Sequence, residues 1–67
     1  VLNYLYDQRE KAQETGRSTY ESGNYAEAAK SFGMCLKITE KLVEMGIKEE
    51  AENIEIYKQL IDQCKSA

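Results

Sequence analysis

The sequence predicts an all-α protein, an antiparallel up-down-up three-helix bundle. Apolar residues recur at helical spacing along almost the whole chain of 67 residues. The chain contains no proline, and Gly23 and Gly46 stand where the helical pattern is interrupted. Two glycine interruptions divide the pattern into three helices, over about residues 2–22, 25–45 and 47–65. A chain this short can form only one small domain.

Helix 1 carries a stripe of small residues. Wound as an α-helix, it places Ala12, Gly16 and Thr19 on one side. Gly16 weakens an isolated helix by about 1 kcal/mol, so we expect it to be retained because a neighbouring helix packs closely there.

The start of helix 1, residues 1–6, is unusually apolar, and Tyr4 is turned away from the main stripe. This segment fits two readings equally: an end of the bundle core, or a seam against a second domain. The first residue is Val rather than Met, and we expect the chain to be cut from a larger protein.

The joint between helices 1 and 2 is short. Gly23 can adopt the left-handed conformation that ends a helix. Asn24 is a good N-cap, and Glu27 follows three residues later, as in a capping box. A stop and a start this close together predict an antiparallel hairpin, in which Phe32 faces the small residues of helix 1.

Helix 2 carries an apolar arc that is too wide for one neighbour. Its main stripe consists of Tyr25, Ala28, Ala29, Phe32, Cys35, Leu36, Thr39, Leu42 and Val43. A second ridge of Met34, Ile38 and Met45 lies to one side, and we expect helix 3 to cover most of it.

Helix 3 begins after Gly46. Its first turns contain Glu49, Glu50 and Glu52, which suit the positive end of the helix dipole and otherwise form a solvated face. Its apolar stripe consists of Ile47, Ala51, Ile54, Tyr57, Ile61 and Cys64, and the arc is widened by Ile56 and Leu60.

Composition excludes several classes of function. The net charge is −3 and the pI is about 4.9, whereas nucleic-acid binders usually have a basic stripe and a high pI. No apolar run approaches the length of about 20 residues that spans a bilayer. Two cysteines without histidine cannot form the common zinc sites. We therefore expect no nucleic acid, no metal and no cofactor, and two buried reduced thiols in a cytoplasmic protein.

Catalytic residues are not evident in the sequence. It has no histidine and no glycine-rich phosphate loop, and the thiol of Cys35 lies on the main apolar stripe of helix 2 without a nearby base. The sequence therefore predicts that this chain is not itself an enzyme.

The first hairpin resembles a tetratricopeptide repeat. From Gly16 to Ile38 it has Gly, Tyr, Gly-Asn-Tyr, Glu-Ala and aromatic residues at the spacings of that motif, with Cys35 where alanine is usual. Helix 2 then continues, and no second turn of this kind follows.

A long second helix followed by a single third helix resembles instead a microtubule-interacting-and-trafficking (MIT) domain, whose first hairpin shares Asn-Tyr-x-Glu-Ala. The segment 60–65, with an apolar pair, an acid, a small residue and Lys, is similar to the last helix of that family. It departs from the family because the Arg-Ala-Glu that usually follows the acid is missing.

The MIT resemblance implies a non-catalytic adaptor. MIT domains bind helical or extended tails of partner proteins between their helices, and bring a linked enzyme, such as a kinase, an ATPase or a protease, to endosomal or autophagic membranes. On this chain we expect a partner-binding groove between helices 2 and 3. The residues predicted to line it are Met34, Ile38, Lys41, Met45, Ile54, Leu60, Ile61 and Asp62.

The implied partner is an amphipathic peptide tail or a helical domain, and contact with membranes is through partners only. Two alternatives stay open. The chain can be an assembly module that pairs with a like domain in tandem or as a dimer, or a tetratricopeptide-repeat fragment of a chaperone or scaffold adaptor.

Overall fold

The computed structural model of the protein describes residues 2–67 and confirms the all-α three-helix bundle. Helix α1 spans Leu2–Glu21 and helix α2 spans Tyr25–Glu44. A single 3-10 turn, Lys48–Glu50, leads into helix α3, Ala51–Ser66. The first two helices end within one residue of their predicted bounds. The third becomes α-helical four residues later than predicted, because its first turn is 3-10.

Each helix joint is a Schellman motif that ends on a glycine. At the end of α1, the Gly23 N–H donates to the Tyr20 carbonyl (3.0 Å), and the Asn24 N–H donates to the Thr19 carbonyl (2.8 Å). The φ angle of Gly23 is +85°. The second joint repeats this pattern around Gly46, whose φ angle is +99°. Both predicted glycine stops are therefore confirmed.

The predicted capping box at the start of α2 is wrong. Asn24 has φ −89° and ψ 72°, and its side chain makes no capping hydrogen bond. An N-cap normally has an extended backbone, but the Schellman motif holds Asn24 in a different conformation. The same motif engages the Asn24 N–H with Thr19, so that N–H is not available to the Glu27 side chain.

These joints give the first testable prediction. Gly23→Ala and Gly46→Ala should each lower the free energy of unfolding by about 1 kcal/mol, because an L-residue pays a steric cost in the left-handed region. Asn24→Ala, the matched control, should change it by much less, since no side-chain cap is lost. Urea denaturation followed by circular dichroism measures all three. A loss at Asn24→Ala as large as at the glycines would contradict this account.

Helix α2 is the central element of the bundle. Helices α1 and α3 each pack mainly against α2, and their backbones scarcely approach one another. The main stripe predicted for α2 is confirmed as the core, since Ala28, Cys35, Thr39 and Leu42 are completely buried. The open arrangement measures 35 × 20 × 12 Å over the Cα atoms.

The close packing expected at Gly16 is confirmed. The ring of Phe32 lies directly against it, and a Cβ atom at Gly16 would be only 2.9 Å from Cε1 of that ring. Ala12 is buried on the same stripe. Small residues on α1 therefore let the aromatic ring of α2 approach the α1 backbone.

Candidate functional site

The residues predicted to line one groove between helices 2 and 3 do not share one surface. Met34 lies on the α1 side of α2, in a depression that also contains Lys11 and Thr15. By helical spacing, Ile38 and Lys41 follow Met34 along the same side of α2. The expectation that helix 3 covers this ridge is wrong, because α3 packs against the other flank of α2 and leaves Met34 55% exposed.

Met45 and the four predicted residues of α3 are also dispersed. Met45 caps the end of α2 and is 46% exposed. Leu60 is turned toward α1. Ile54 and Ile61 are half-buried, with Ile61 packed against the core, and Asp62 is exposed.

The structure contains a groove between α1 and α3. It has a volume of about 230 Å³, and Phe32 of α2 lies at its base. Its lining residues are Gln13, Arg17, Tyr20, Glu21, Phe32, Leu60 and Gln63. The groove exists because the backbones of α1 and α3 pack against α2 and scarcely approach each other. We call it the inner groove.

The apolar wall of the inner groove on α1 is held by an aromatic contact. Tyr20 packs edge-on against Tyr25 at the start of α2, with ring centroids 5.0 Å apart and an interplanar angle of 70°. Edge-to-face pairs of this kind stabilise by about 0.5–1.5 kcal/mol beyond their buried area. The hairpin joint therefore also positions a side chain of the groove.

A polar cluster that was not predicted from the sequence connects all three helices. Glu50, predicted to lie on a solvated face, is buried and forms an ion pair with Arg9 of α1. The guanidinium donates to both carboxylate oxygens, with 3.3 Å between Nη2 and Oε2. It also donates to Oγ1 of Thr39 on α2 (3.1 Å), and the amide of Asn53 on α3 donates to the carboxylate (2.8 Å).

The polar contacts between α1 and α3 continue toward the inner groove. The Tyr57 hydroxyl donates to Oε1 of Gln13 at 2.8 Å. On the other side, the guanidinium carbon of Arg9 lies 5.3 Å from the centre of the Tyr6 ring, which is within cation–π range. Gln13 is thus shared between this cluster and the groove.

Two signals in the sequence could have found the cluster. Arg9 stands four residues after Leu5 and three before Ala12, so it lies on the apolar stripe of helix 1. Glu50 stands seven residues before Tyr57, on the buried stripe of helix 3. A charged residue on each of two buried stripes indicates a pair.

No protein-family model, curated protein or solved structure matches this chain. The likeness to MIT domains and tetratricopeptide repeats therefore stays a prediction from the motif residues.

The ion pair between Arg9 and Glu50 makes the free energy of unfolding depend on pH. Hydrogen bonding from Arg9 holds the pKa of Glu50 below its ordinary value. A carboxylate with a lowered folded-state pKa stabilises the fold above its unfolded pKa of about 4.3. That contribution is lost as the pH falls through the lower, folded-state pKa.

We therefore expect the urea midpoint to fall between pH 6 and pH 3 more in the wild type than in Glu50→Gln, which has no carboxyl group to protonate at this position. Measuring both proteins at both pH values isolates the contribution of Glu50 from that of the other acids. Equal falls in the two proteins would contradict an ionised, paired Glu50.

Both cysteine thiols are buried and unbridged, as expected. Burial raises the pKa of Cys35 and of Cys64 above the ordinary value. The Cys35 thiol donates to the backbone carbonyl of Arg9 at 3.6 Å. At neutral pH these are protonated core side chains rather than thiolate nucleophiles.

Residues 2–67 contain neither a cluster of metal ligands nor a membrane-spanning helix. In that part of the chain, no three Cys, Asp or Glu side chains come together as metal ligands. None of its helices combines the length and apolarity that crossing a bilayer requires.

Proposed function

We propose that the chain is a non-catalytic protein-interaction module that binds a peptide tail or a helix of a partner protein in the inner groove. The observation that carries this proposal is the groove itself, in which Phe32, Tyr20 and Leu60 offer apolar and aromatic surface between two helices. An amphipathic peptide binds such a groove by inserting apolar anchors at helical spacing, with charges at the rim.

The rim of the inner groove favours a partner that carries basic residues. Glu21 and Arg17 line the groove itself, and Glu10 and Glu14 line an adjoining depression of α1 that shares Gln13 and Arg17 with it. The other nearby cation, Arg9, is neutralised by its ion pair. A peptide with Lys or Arg beside its apolar anchors would complement this rim and gain in association rate and specificity.

The cellular role that we propose is recruitment of a larger parent protein in endosomal or autophagic membrane trafficking. This part of the proposal rests on the resemblance of the hairpin and the last helix to MIT domains. Binding of a partner's tail in the inner groove is the step that would bring the parent protein to its site of action, with membrane contact made by the partner.

The proposal is tested by selecting from a library of random peptides of about 16 residues displayed with free carboxyl ends, which span about 24 Å as a helix at 1.5 Å per residue. We expect the selected peptides to combine apolar anchors with basic residues. Leu60→Asp should weaken their binding about tenfold or more, because it places a charge in the apolar wall.

Gln59→Asp is the matched control, since Gln59 is the neighbouring residue on α3 and is exposed. It should leave affinity within about twofold. Circular dichroism establishes that both variants are folded before binding is measured. Peptides that bind both variants as tightly as the wild type, or a library that yields no binder, would reject the inner groove as the binding site.

A second candidate function is assembly with a like domain. Leu2 is 40% exposed and Tyr4 is 65% exposed at the start of α1, where apolar surface is available for pairing. Sedimentation equilibrium distinguishes the two functions. A monomer that binds selected peptides supports the adaptor, whereas a tight dimer that dissociates in Tyr4→Glu supports assembly.

A further inference from the structure

A second depression lies on the other side of α1, where α1 and α2 meet. It has a volume of about 200 Å³, and the small residues Ala12 and Ser31 form part of its lining beside Met34. This depression and the adjoining side of α2 form a surface that we call the outer face. We define the outer face by Lys11, Thr15, Lys30, Met34, Lys37, Ile38, Lys41 and Met45.

The outer face carries exposed apolar side chains along one line of α2. Met34 is 55% exposed and Met45 is 46% exposed, with the half-buried Ile38 between them. The distance from Met34 to Met45 along the helix is about 16 Å at 1.5 Å per residue. Methionine side chains are flexible and adapt to apolar partners of different shape. The line is long enough for three turns of a partner helix.

Lysines border this apolar line on both sides. Lys30, Lys37 and Lys41 of α2 lie within about one turn of Met34 or Ile38, and Lys11 approaches from α1. Lys11 pairs with Asp7 at 3.7 Å, but both side chains are more than 60% exposed, so the pair contributes little. Over residues 2–67, the three lysines of α2 take part in no ion pair.

The positive charge of the outer face contrasts with the rest of the protein. The net charge of the chain is −3. Glu40 of α2 is turned by helical spacing toward the α3 side. Glu27, seven residues before Met34, and Glu44, seven residues after Lys37, lie at the two ends of the outer face, so that its middle, from Lys30 to Lys41, holds lysines and no acid of α2. The middle of the outer face is therefore basic through the lysines of α2, whereas acids of α1 adjoin the inner groove.

We propose that the outer face is a second binding site, and that its ligand is an acidic amphipathic helix of a partner protein. The apolar side of that helix would cover Met34, Ile38 and Met45, and its Asp or Glu residues would pair with the bordering lysines. Charge complementarity selects this occupant, because like charges at such an interface cost free energy and opposite charges raise the association rate. The depression beside Ala12 can receive a side chain, which favours a helix over a flat bilayer surface.

The test uses a displayed library of helical peptides of about 16 residues whose polar positions are restricted to Asp, Glu, Gln and Ser. Binders are measured by fluorescence anisotropy. We expect Met34→Asp to weaken binding about tenfold or more, and Lys37→Glu/Lys41→Glu to do the same. Raising the salt concentration from about 50 to about 300 mM should also weaken binding.

Lys58→Glu/Lys65→Glu is the matched control. It changes the net charge of the protein by the same amount, but both residues are exposed on α3. The affinity of this control variant for the selected peptides should stay within about threefold of the wild-type affinity, because charge that lies far from an interface is screened. Leu60→Asp should leave this binding unchanged, and Met34→Asp should leave binding at the inner groove unchanged, so either proposal can fail alone.

Three outcomes overturn the inference. In the first, the library yields no peptide that binds the wild type. In the second, the selected peptides bind Met34→Asp but no longer bind Leu60→Asp. In the third, Lys37→Glu/Lys41→Glu and Lys58→Glu/Lys65→Glu weaken binding equally. A further outcome also overturns it in favour of a membrane surface. In that case, vesicles of phosphatidylcholine with about one third phosphatidylserine bind the wild type but do not bind Lys37→Glu/Lys41→Glu. At the same time, Met34→Asp weakens the binding of none of the selected peptides.

Discussion

Replacing Glu50 with glutamine should lower the free energy of unfolding by about 2–3 kcal/mol. The variant keeps the size of the side chain but leaves the Arg9 guanidinium enclosed without its counter-charge. Removing one partner of a buried ion pair typically costs about 3–5 kcal/mol, and the residual exposure of 15% and 12% for the two side chains reduces this cost. For a protein of 67 residues, whose total stability is expected to be about 3–10 kcal/mol, that loss is large.

Urea denaturation at pH 7 measures this effect. Glu49→Gln is the matched control, because it changes the same charge one residue away on an exposed side chain, and it should shift stability by less than about 0.5 kcal/mol. Arg9→Met combined with Glu50→Gln should recover part of the loss, since no unpaired charge remains. Equal stability of Glu50→Gln and Glu49→Gln would show that the ion pair does not hold α1 to the start of α3.

The second large effect is expected at Gly16. Alanine normally stabilises a helix interior by about 1 kcal/mol relative to glycine. At Gly16 the new methyl group would meet the Phe32 ring at 2.9–3.1 Å, and overpacking of this kind costs about 1–3 kcal/mol. Subtracting the helix gain from the overpacking cost leaves an expected net loss of up to about 2 kcal/mol, reduced where the Phe32 ring shifts toward the inner groove that it lines.

Gly33 provides the control with the opposite sign. It also lies inside a helix, but a Cβ atom there would meet nothing within 4 Å. Gly33→Ala should therefore raise the free energy of unfolding by up to about 1 kcal/mol. Thermal and urea denaturation of both variants give the comparison. Stabilisation by both substitutions would mean that the ring of Phe32 yields without cost, and that the small stripe of α1 does not limit packing.

The two proposed binding sites make different demands on the same helix. Helix α1 gives the inner groove Gln13 and Arg17, and it gives the outer face Lys11 and Thr15. Because these sets lie on opposite sides of α1, two ligands of opposite charge can be tested separately and together. Binding of both at once would make the chain a bridge between partners, whereas mutual exclusion would indicate that each ligand shifts α1.

Much of the fold could be predicted because the responsible signals are local. Gly23 and Gly46 mark the joints, since only a residue without a Cβ atom adopts positive φ cheaply. The contact of Gly16 with Phe32 also follows from pattern, because a short joint forces two adjacent helices together. The capping role assigned to Asn24 failed because the same residue already completes the end of α1.

The candidate site could be predicted only in part. Met34 and Leu60 were expected on facing walls of one groove, yet Met34 lies beside α1 and Leu60 lies on the other side of the bundle. The acidic neighbours of Glu50 in the sequence predict a solvated face. Only its place on the stripe of Tyr57, taken together with the place of Arg9 on the stripe of helix 1, indicates a buried pair across 41 residues, and the geometry of that pair depends on the packing.

The order of the amino acids alone sets the number of helices, their approximate bounds and most of the stripe that each one turns to the core, although Ala51 of the stripe predicted for helix 3 is exposed. These features depend on helical periodicity and on the backbone freedom of glycine, which act within a few residues. The tertiary structure alone decides which flank of α2 receives α1 and which receives α3. The sequence determines the angle at which a side chain projects from its own helix, but not which neighbouring helix lies at that angle. The grooves, the geometry of the buried ion pair and the exposed ridge therefore depend on how the helices pack.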